Sequence, residues 1–105
     1  MQNEKKRNEI DIVKHIPIGH ENGISRKELC RRTNLTDREV RKCISKARET
    51  TCICNMSDGA GYYIPKEVSE VEHFIRQESA RARSIFKSLR GARTYKNLMT
   101  SEVNT

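Results

Sequence analysis

Ile24-Ser25-Arg26-Lys27-Glu28-Leu29 is followed, eleven residues on, by Leu35-Thr36-Asp37-Arg38-Glu39-Val40, and these two phrases decide the fold. Each has the pattern of a helix start. A hydroxyl residue, Ser25 or Thr36, is placed to accept from the backbone N–H three positions on. The glutamate there, Glu28 or Glu39, is placed to reach back to the cap's own N–H, the reciprocal arrangement of a capping box. Ile24 with Leu29, and Leu35 with Val40, supply the apolar pair that fixes how the chain enters each helix. Two starts this close predict a short helix from about Ser25 to Arg32, a turn at Thr33-Asn34-Leu35 and a second helix from Thr36.

That spacing fits a helix-turn-helix. It fits equally a compact helical hairpin in a protein that touches no nucleic acid. Composition bears on the choice: 105 residues at 34% hydrophobic content allow one small domain with an extension and no room for a large substrate pocket as well. A net charge of +7 favours a polyanionic partner, nucleic acid first.

Upstream of the first phrase, residues from about Asn3 to Ile16 read as a helix with Ile10, Val13 and Ile16 on one stripe and Ile12 beside it, closed by Pro17. Gly19-His20-Glu21-Asn22-Gly23 reads as a polar loop. In the helix that Thr36 opens, Val40, Cys43, Ile44 and Ala47 share a core-facing stripe, and Arg38, Arg41, Lys42, Ser45 and Lys46 occupy the opposite face. Beyond Thr51 the periodicity changes to alternation. Cys52-Ile53-Cys54-Asn55 and Gly61-Tyr62-Tyr63-Ile64 predict a β-hairpin joined by Met56-Ser57-Asp58-Gly59-Ala60. Tyr62, Ile64 and Ile53 would face the helices, with Tyr63, Cys52 and Cys54 on the other side.

From about Glu67 the chain reads as one more helix of roughly 30 residues. Val68, Val71, Ile75, Glu78, Ala82, Ile85, Leu89 and Ala92 step by three and four, a heptad-like seam with Phe74 and Phe86 widening it. The seam suits a coiled-coil dimer, or a helix whose first half packs on the domain core. Glu78 on the seam and Gly91 within the helix count against the dimer. Arg81, Arg83, Lys87, Arg90, Arg93 and Lys96 follow without an intervening acid, a face able to run along a phosphate backbone.

On the motifs Ser25-x-x-Glu28-Leu29, Leu35-Thr36-x-x-Glu39-Val40-Arg41-Lys42-x-Ile44 and Gly61-Tyr62-Tyr63-Ile64, the segment Ile24 to Ile64 resembles the winged helix-turn-helix DNA-binding domains of the biotin-repressor type. The whole chain resembles small DNA-binding proteins of bacterial phages and prophages. The resemblance implies that the helix opened by Thr36 enters the major groove of double-stranded DNA, with Thr36, Asp37, Arg38, Arg41, Lys42 and Ser45 at its contacting start. Arg38 and Arg41 are then the candidates for base edges. Lys42, Lys46 and Arg48 are the candidates for phosphates, with Arg26 and Lys27 at the start of the preceding helix. The wing departs from a strong DNA-binding pattern, because Ser57-Asp58-Gly59-Ala60-Gly61 carries one negative charge and no positive one.

Other chemistries find little purchase. Cys52-x-Cys54 lies on a strand, whereas zinc sites draw paired cysteines from a turn with two to four residues between them. Cys30 and Cys43 fall on core-facing stripes as small hydrophobes. His15, His20 and His73 share no motif with an acid or nucleophile, and no phosphate loop or catalytic triad is visible. Neither a membrane span nor a signal peptide is apparent. The expectation is therefore a mainly α protein with a small β-hairpin: a winged helix-turn-helix over 1–66 (three-helix core plus wing), a long basic C-terminal helix over 67–99 and a disordered tail over 100–105. It would be cytoplasmic, with reduced thiols, no cofactor, no metal and no enzymatic activity. It would bind double-stranded DNA as a transcriptional regulator or a replication or recombination accessory factor, with homodimerisation through the last helix. The rival expectation is a winged-helix adaptor inside a multi-subunit assembly.

Overall fold

A computed structural model describes residues 11–104. Among them the order is a 3-10 turn at Ile12–His15, a second at His20–Asn22, helix α1 (Arg26–Thr33), helix α2 (Asp37–Ala47), strand β1 (Cys54–Asn55), strand β2 (Tyr62–Tyr63) and helix α3 (Val68–Asn104). The protein is mainly helical, with one two-stranded antiparallel hairpin and a long C-terminal helix. The chain divides into two compact units between Phe74 and Ile75.

In the first unit, α1 and α2 begin where the two phrases place them, but the two caps differ. Thr36 forms the full capping box: its hydroxyl accepts from the Glu39 N–H at 3.1 Å, and Glu39 accepts from the Thr36 N–H at 3.0 Å. Ser25 accepts from the Glu28 N–H at 3.1 Å, but the expected return bond gives way to ion pairs in which Glu28 accepts from Arg31 and Arg32 one turn on. Charge-assisted bonds to two guanidiniums outweigh one to a neutral amide. These arginines, Arg31 foremost, hold the Glu28 carboxyl down to about 2. The turn between the helices closes on Asn34 in the left-handed region, at φ 59°, a conformation that asparagine tolerates better than most residues.

The expected helix over Asn3 to Ile16 is corrected where it can be seen. Residues 3–10, with Ile10, lie outside the described residues, and from Asp11 on the chain makes a single 3-10 turn capped by the Asp11 carboxylate on the Val13 N–H. Ile16 is extended, at φ −101° and ψ 121°, as the residue before a proline is driven to be. Ile12 and Ile16 nonetheless fill the core together with Ile24, Leu29, Leu35, Val40, Ile44, Ile53 and Tyr62, and Cys30, Cys43 and Ile64 pack at its margin.

The hairpin pairs Cys54 with Tyr63 and Asn55 with Tyr62, and its faces alternate as the sequence predicts. Its outer face is not open, however: Tyr63 and Cys54 are as buried as the core itself. Burial pushes both the Cys54 thiol and the Tyr63 phenol up to about 12. The segment read as a plain polar loop also pairs with β2. Ile24 and Tyr62 exchange both backbone bonds at 2.9 and 2.7 Å, Gly19 donates to the Ile64 carbonyl at 2.8 Å, and Ile64 donates to that of Pro17 at 2.8 Å. The approach is close enough to require glycine. A Cβ on Gly61, whose φ is +87°, would stand 2.4 Å from the Ile24 carbonyl oxygen.

Glu70, in the first turn of α3, ties this region together. Its carboxylate accepts from the N–H groups of Glu67 at 2.8 Å and Lys66, closing the start of the helix, and from the His20 N–H at 2.8 Å. Those backbone donors, that of Glu67 first, hold its carboxyl below the usual range.

The second unit holds the rest of α3. The helix runs past Met99, where the sequence reading ends it, to Asn104; no proline or glycine follows Gly91 to break it. Every side chain from Ala80 to Ser101 is exposed, including Ile85, Phe86, Tyr95 and Leu98.

Candidate functional site

Helix α2 presents two opposed faces. Val40 and Ile44 are buried and Cys43 and Ala47 half-buried, which leaves Asp37, Arg38, Arg41, Lys42, Ser45 and Lys46 exposed on the other side. The orientation is set from within: apolar residues at helical spacing point into the core, and the capping box fixes where the helix begins. Lys27 is exposed at the start of α1, and Arg26 beside it is half-buried. The sequence-predicted residues Arg26, Asp37 and Arg41 come into direct contact. Arg38, Lys42, Ser45 and Lys46 lie along the same helix, and among the described residues Arg38, Lys42 and Lys46 make no ion pair.

Asp37 is the electrostatic centre of this face. Its Oδ2 accepts from Arg41 Nε at 3.0 Å and Nη2 at 2.8 Å, while its Oδ1 accepts from Arg26 Nε. The carboxyl is held below its usual range, first by Arg41 and then by Arg26. Arg26 in turn bonds Asp37, which with the nearby Tyr62 hydroxyl raises its own pKa. Asp37 thus joins the start of α1 to α2.

Two predicted residues are engaged in the fold. The Thr36 hydroxyl oxygen is the helix cap, which leaves the hydroxyl proton as its outward donor. Arg48, at the C-cap of α2, donates from Nε to the Ile53 carbonyl at 3.0 Å, and its guanidinium lies 5.2 Å from the centre of the Phe74 ring. It fastens the end of α2 to the hairpin and to the first turns of α3.

Other groupings escaped the sequence reading. His20 Nε2 lies 2.6 Å from Asp58 Oδ2, and its ring meets Tyr63 edge to face at 5.2 Å. The one negative charge of the hairpin tip therefore has a partner. The Ala60 N–H and His20 hold the Asp58 carboxyl below its usual range. No spacing rule links positions 20 and 58; only the pairing of the Pro17–Ile24 segment with β2 brings them together. The Asp37–Arg41 pair was legible as an i, i+4 couple, whereas Arg26 joins it through the angle between two helices.

The cysteine Sγ atoms of Cys52 and Cys54 lie 3.9 Å apart. Among the described residues, no three His, Cys, Asp or Glu side chains converge as metal ligands, and no helix is long and apolar enough to cross a membrane. The chain matches no protein-family model, no curated protein and no solved structure.

Proposed function

We propose that the protein is a sequence-specific double-stranded DNA-binding protein built as a winged helix-turn-helix, with α2 in the major groove and the β1–β2 hairpin as its wing. The observation that carries the reading is the outer face of α2. Arg38, Arg41, Lys42 and Lys46 stand exposed on one side of a helix whose other side is buried, and Asp37 is the only uncapped acid among them. Residues at the start of such a helix reach base edges, and cations further along it meet phosphates. Arg38 and Arg41 are the candidate base readers. Arg26, Lys27, Lys42 and Lys46 are the candidates for phosphate, while the engagement of Arg48 with Ile53 and Phe74 gives it the task of holding α2 on the hairpin. No covalent chemistry is involved: occupying a site suffices for transcriptional regulation or for recruiting a replication or recombination complex.

The exposed apolar side chains Ile85, Phe86, Leu89, Leu98 and Met99 of α3 favour a protein contact in addition, most simply a second copy of the chain. A homodimer would place two copies of α2 on the half-sites of a palindrome. The same residues support an adaptor role only if the outer face of α2 binds no duplex.

Selection of duplexes from a random pool, followed by titration of the best one, tests the reading. Arg41→Ala should weaken specific binding by about 1 to 3 kcal/mol while the circular dichroism spectrum stays that of the parent. Unaltered affinity for the best duplex would remove Arg41 from the mechanism, and failure to enrich any duplex would remove DNA as the partner.

A further inference from the structure

We infer that Asp37 is the specificity-determining residue of the α2 face, a fixed strut that aims Arg41 at guanine; the inference rests on the DNA-binding reading and deepens it. A guanidinium carries five N–H donors in a rigid fork. Asp37 engages those on the side edge of Arg41, Nε and Nη2, both on one carboxylate oxygen. Among the described residues no hydrogen bond engages the end edge, formed by Nη1 and the second N–H of Nη2, and it is this pair that matches the O6 and N7 acceptors of guanine in the major groove.

An ordinary i, i+4 pair on a helix surface would not amount to a strut, because both side chains can swing together. Here the carboxylate is held from a second direction. Arg26, from the start of the other helix, takes the opposite oxygen of Asp37. Asp37 therefore cannot follow Arg41 outward, and Arg41 loses rotational freedom before any DNA arrives. Less entropy remains to be lost on docking, and the fork meets guanine in one orientation.

The charge of Asp37 acts in the other direction on non-specific binding. A carboxylate between two arginines at the protein surface offsets part of their attraction to phosphate, so the same residue sharpens recognition and lowers affinity for random DNA. A residue that only stabilised the fold would move both quantities together. Opposite movement is the mark of a strut.

The test uses the full chain, as parent, Asp37→Asn, Arg41→Ala and the double variant. Each is titrated against the best duplex from a random pool, against that duplex with every base pair changed singly, and against a random-sequence duplex. Arg41→Ala should abolish discrimination at one G·C pair. Asp37→Asn should reduce discrimination at that same pair by about tenfold, bind the random duplex at least as tightly as the parent, and add nothing to Arg41→Ala in the double variant. Melting curves of the free proteins identify any loss that comes from unfolding, and Asp37→Glu, which keeps the carboxylate, should restore part of the discrimination. Full discrimination in Asp37→Asn overturns the strut. So does a loss at a different base pair, which would make Asp37 a direct reader. If the parent selects no duplex at all, the DNA-binding reading itself is what fails, and the strut falls with it.

Discussion

Helix α2 and the second half of α3 are both cationic helices, yet only one of them has a side to stand on. In α2, Val40 is fully buried and Ile44 is 2% exposed, so each cation has an assigned direction. From Ala80 to Ser101 α3 buries nothing: Ile85 and Phe86 are 61% and 63% exposed, and Arg83, Lys87 and Arg90 have no buried stripe opposite them. Charge alone attracts a polyanion. A buried stripe on the opposite side is what turns charge into an aimed surface, and that is why the candidate base readers belong to α2.

High pH should act hardest, and on the packed region alone. Cys54 and Tyr63 have ordinary values of 9 and 10, and burial raises each to about 12. In the unfolded chain both lose their protons at the ordinary values, so their contribution to stability is complete below pH 9 and is lost as pH rises toward 12. A stability profile from urea titrations should fall across that window. A flat profile would mean that the outer face of the hairpin is open to water.

Next in size is a truncation on each helix. Ile44→Ala should cost about 3 kcal/mol by loss of buried surface and the cavity left behind, whereas Ile85→Ala should alter the unfolding of the first unit by less than about 0.5 kcal/mol. Sedimentation of the Ile85 variant sharpens the contrast. A shift toward lower mass than the parent supports pairing through α3, and an unchanged mass removes Ile85 from any such contact.

Two glycines extend the comparison with opposite signs. Gly61→Ala places a Cβ 2.4 Å from a backbone oxygen at φ +87° and should destabilise by about 2 to 3 kcal/mol. Gly91→Ala meets nothing within 4 Å and should stabilise α3 by about 0.5 to 1 kcal/mol, through the lower entropy of the unfolded chain. Thermal melts that ranked the two in the other order would contradict the close approach of Gly61 to the Ile24 carbonyl.

The smallest difference expected lies between the two helix starts. Thr36→Ala breaks a reciprocal box and should cost about 1 kcal/mol, while Ser25→Ala loses a single bond and should cost about half that. Equal losses in chemical denaturation would show that the ion pairs of Glu28 compensate for nothing.

What could be read ahead of the structure was short in range. The starts of α1 and α2, the turn between them, the inward stripe of α2 and the alternation of the hairpin all follow from residues within four or five positions of one another, where capping geometry and periodicity operate. Over the described residues the expected first helix is a single 3-10 turn that stops at Ile16, which Pro17 holds extended, although the apolar spacing there suits a longer helix. The site was legible as a set of cations and illegible as an arrangement. Arg48 reads as one more exposed cation, whereas in the structure it donates to the Ile53 carbonyl and lies over the Phe74 ring.

The sequence by itself determined where α1 and α2 begin, which stripe of α2 is apolar and that the surplus charge is positive, because these depend on local hydrogen bonding and on periodicity along one chain. Only the tertiary structure decided that Arg26 and Arg41 share Asp37, that His20 meets Asp58, and that the far side of the hairpin is closed. Arg26 and Asp37 lie 11 positions apart, and His20 and Asp58 lie 38 apart. Their partners are selected by the angles at which packed elements cross, and no local preference encodes those angles.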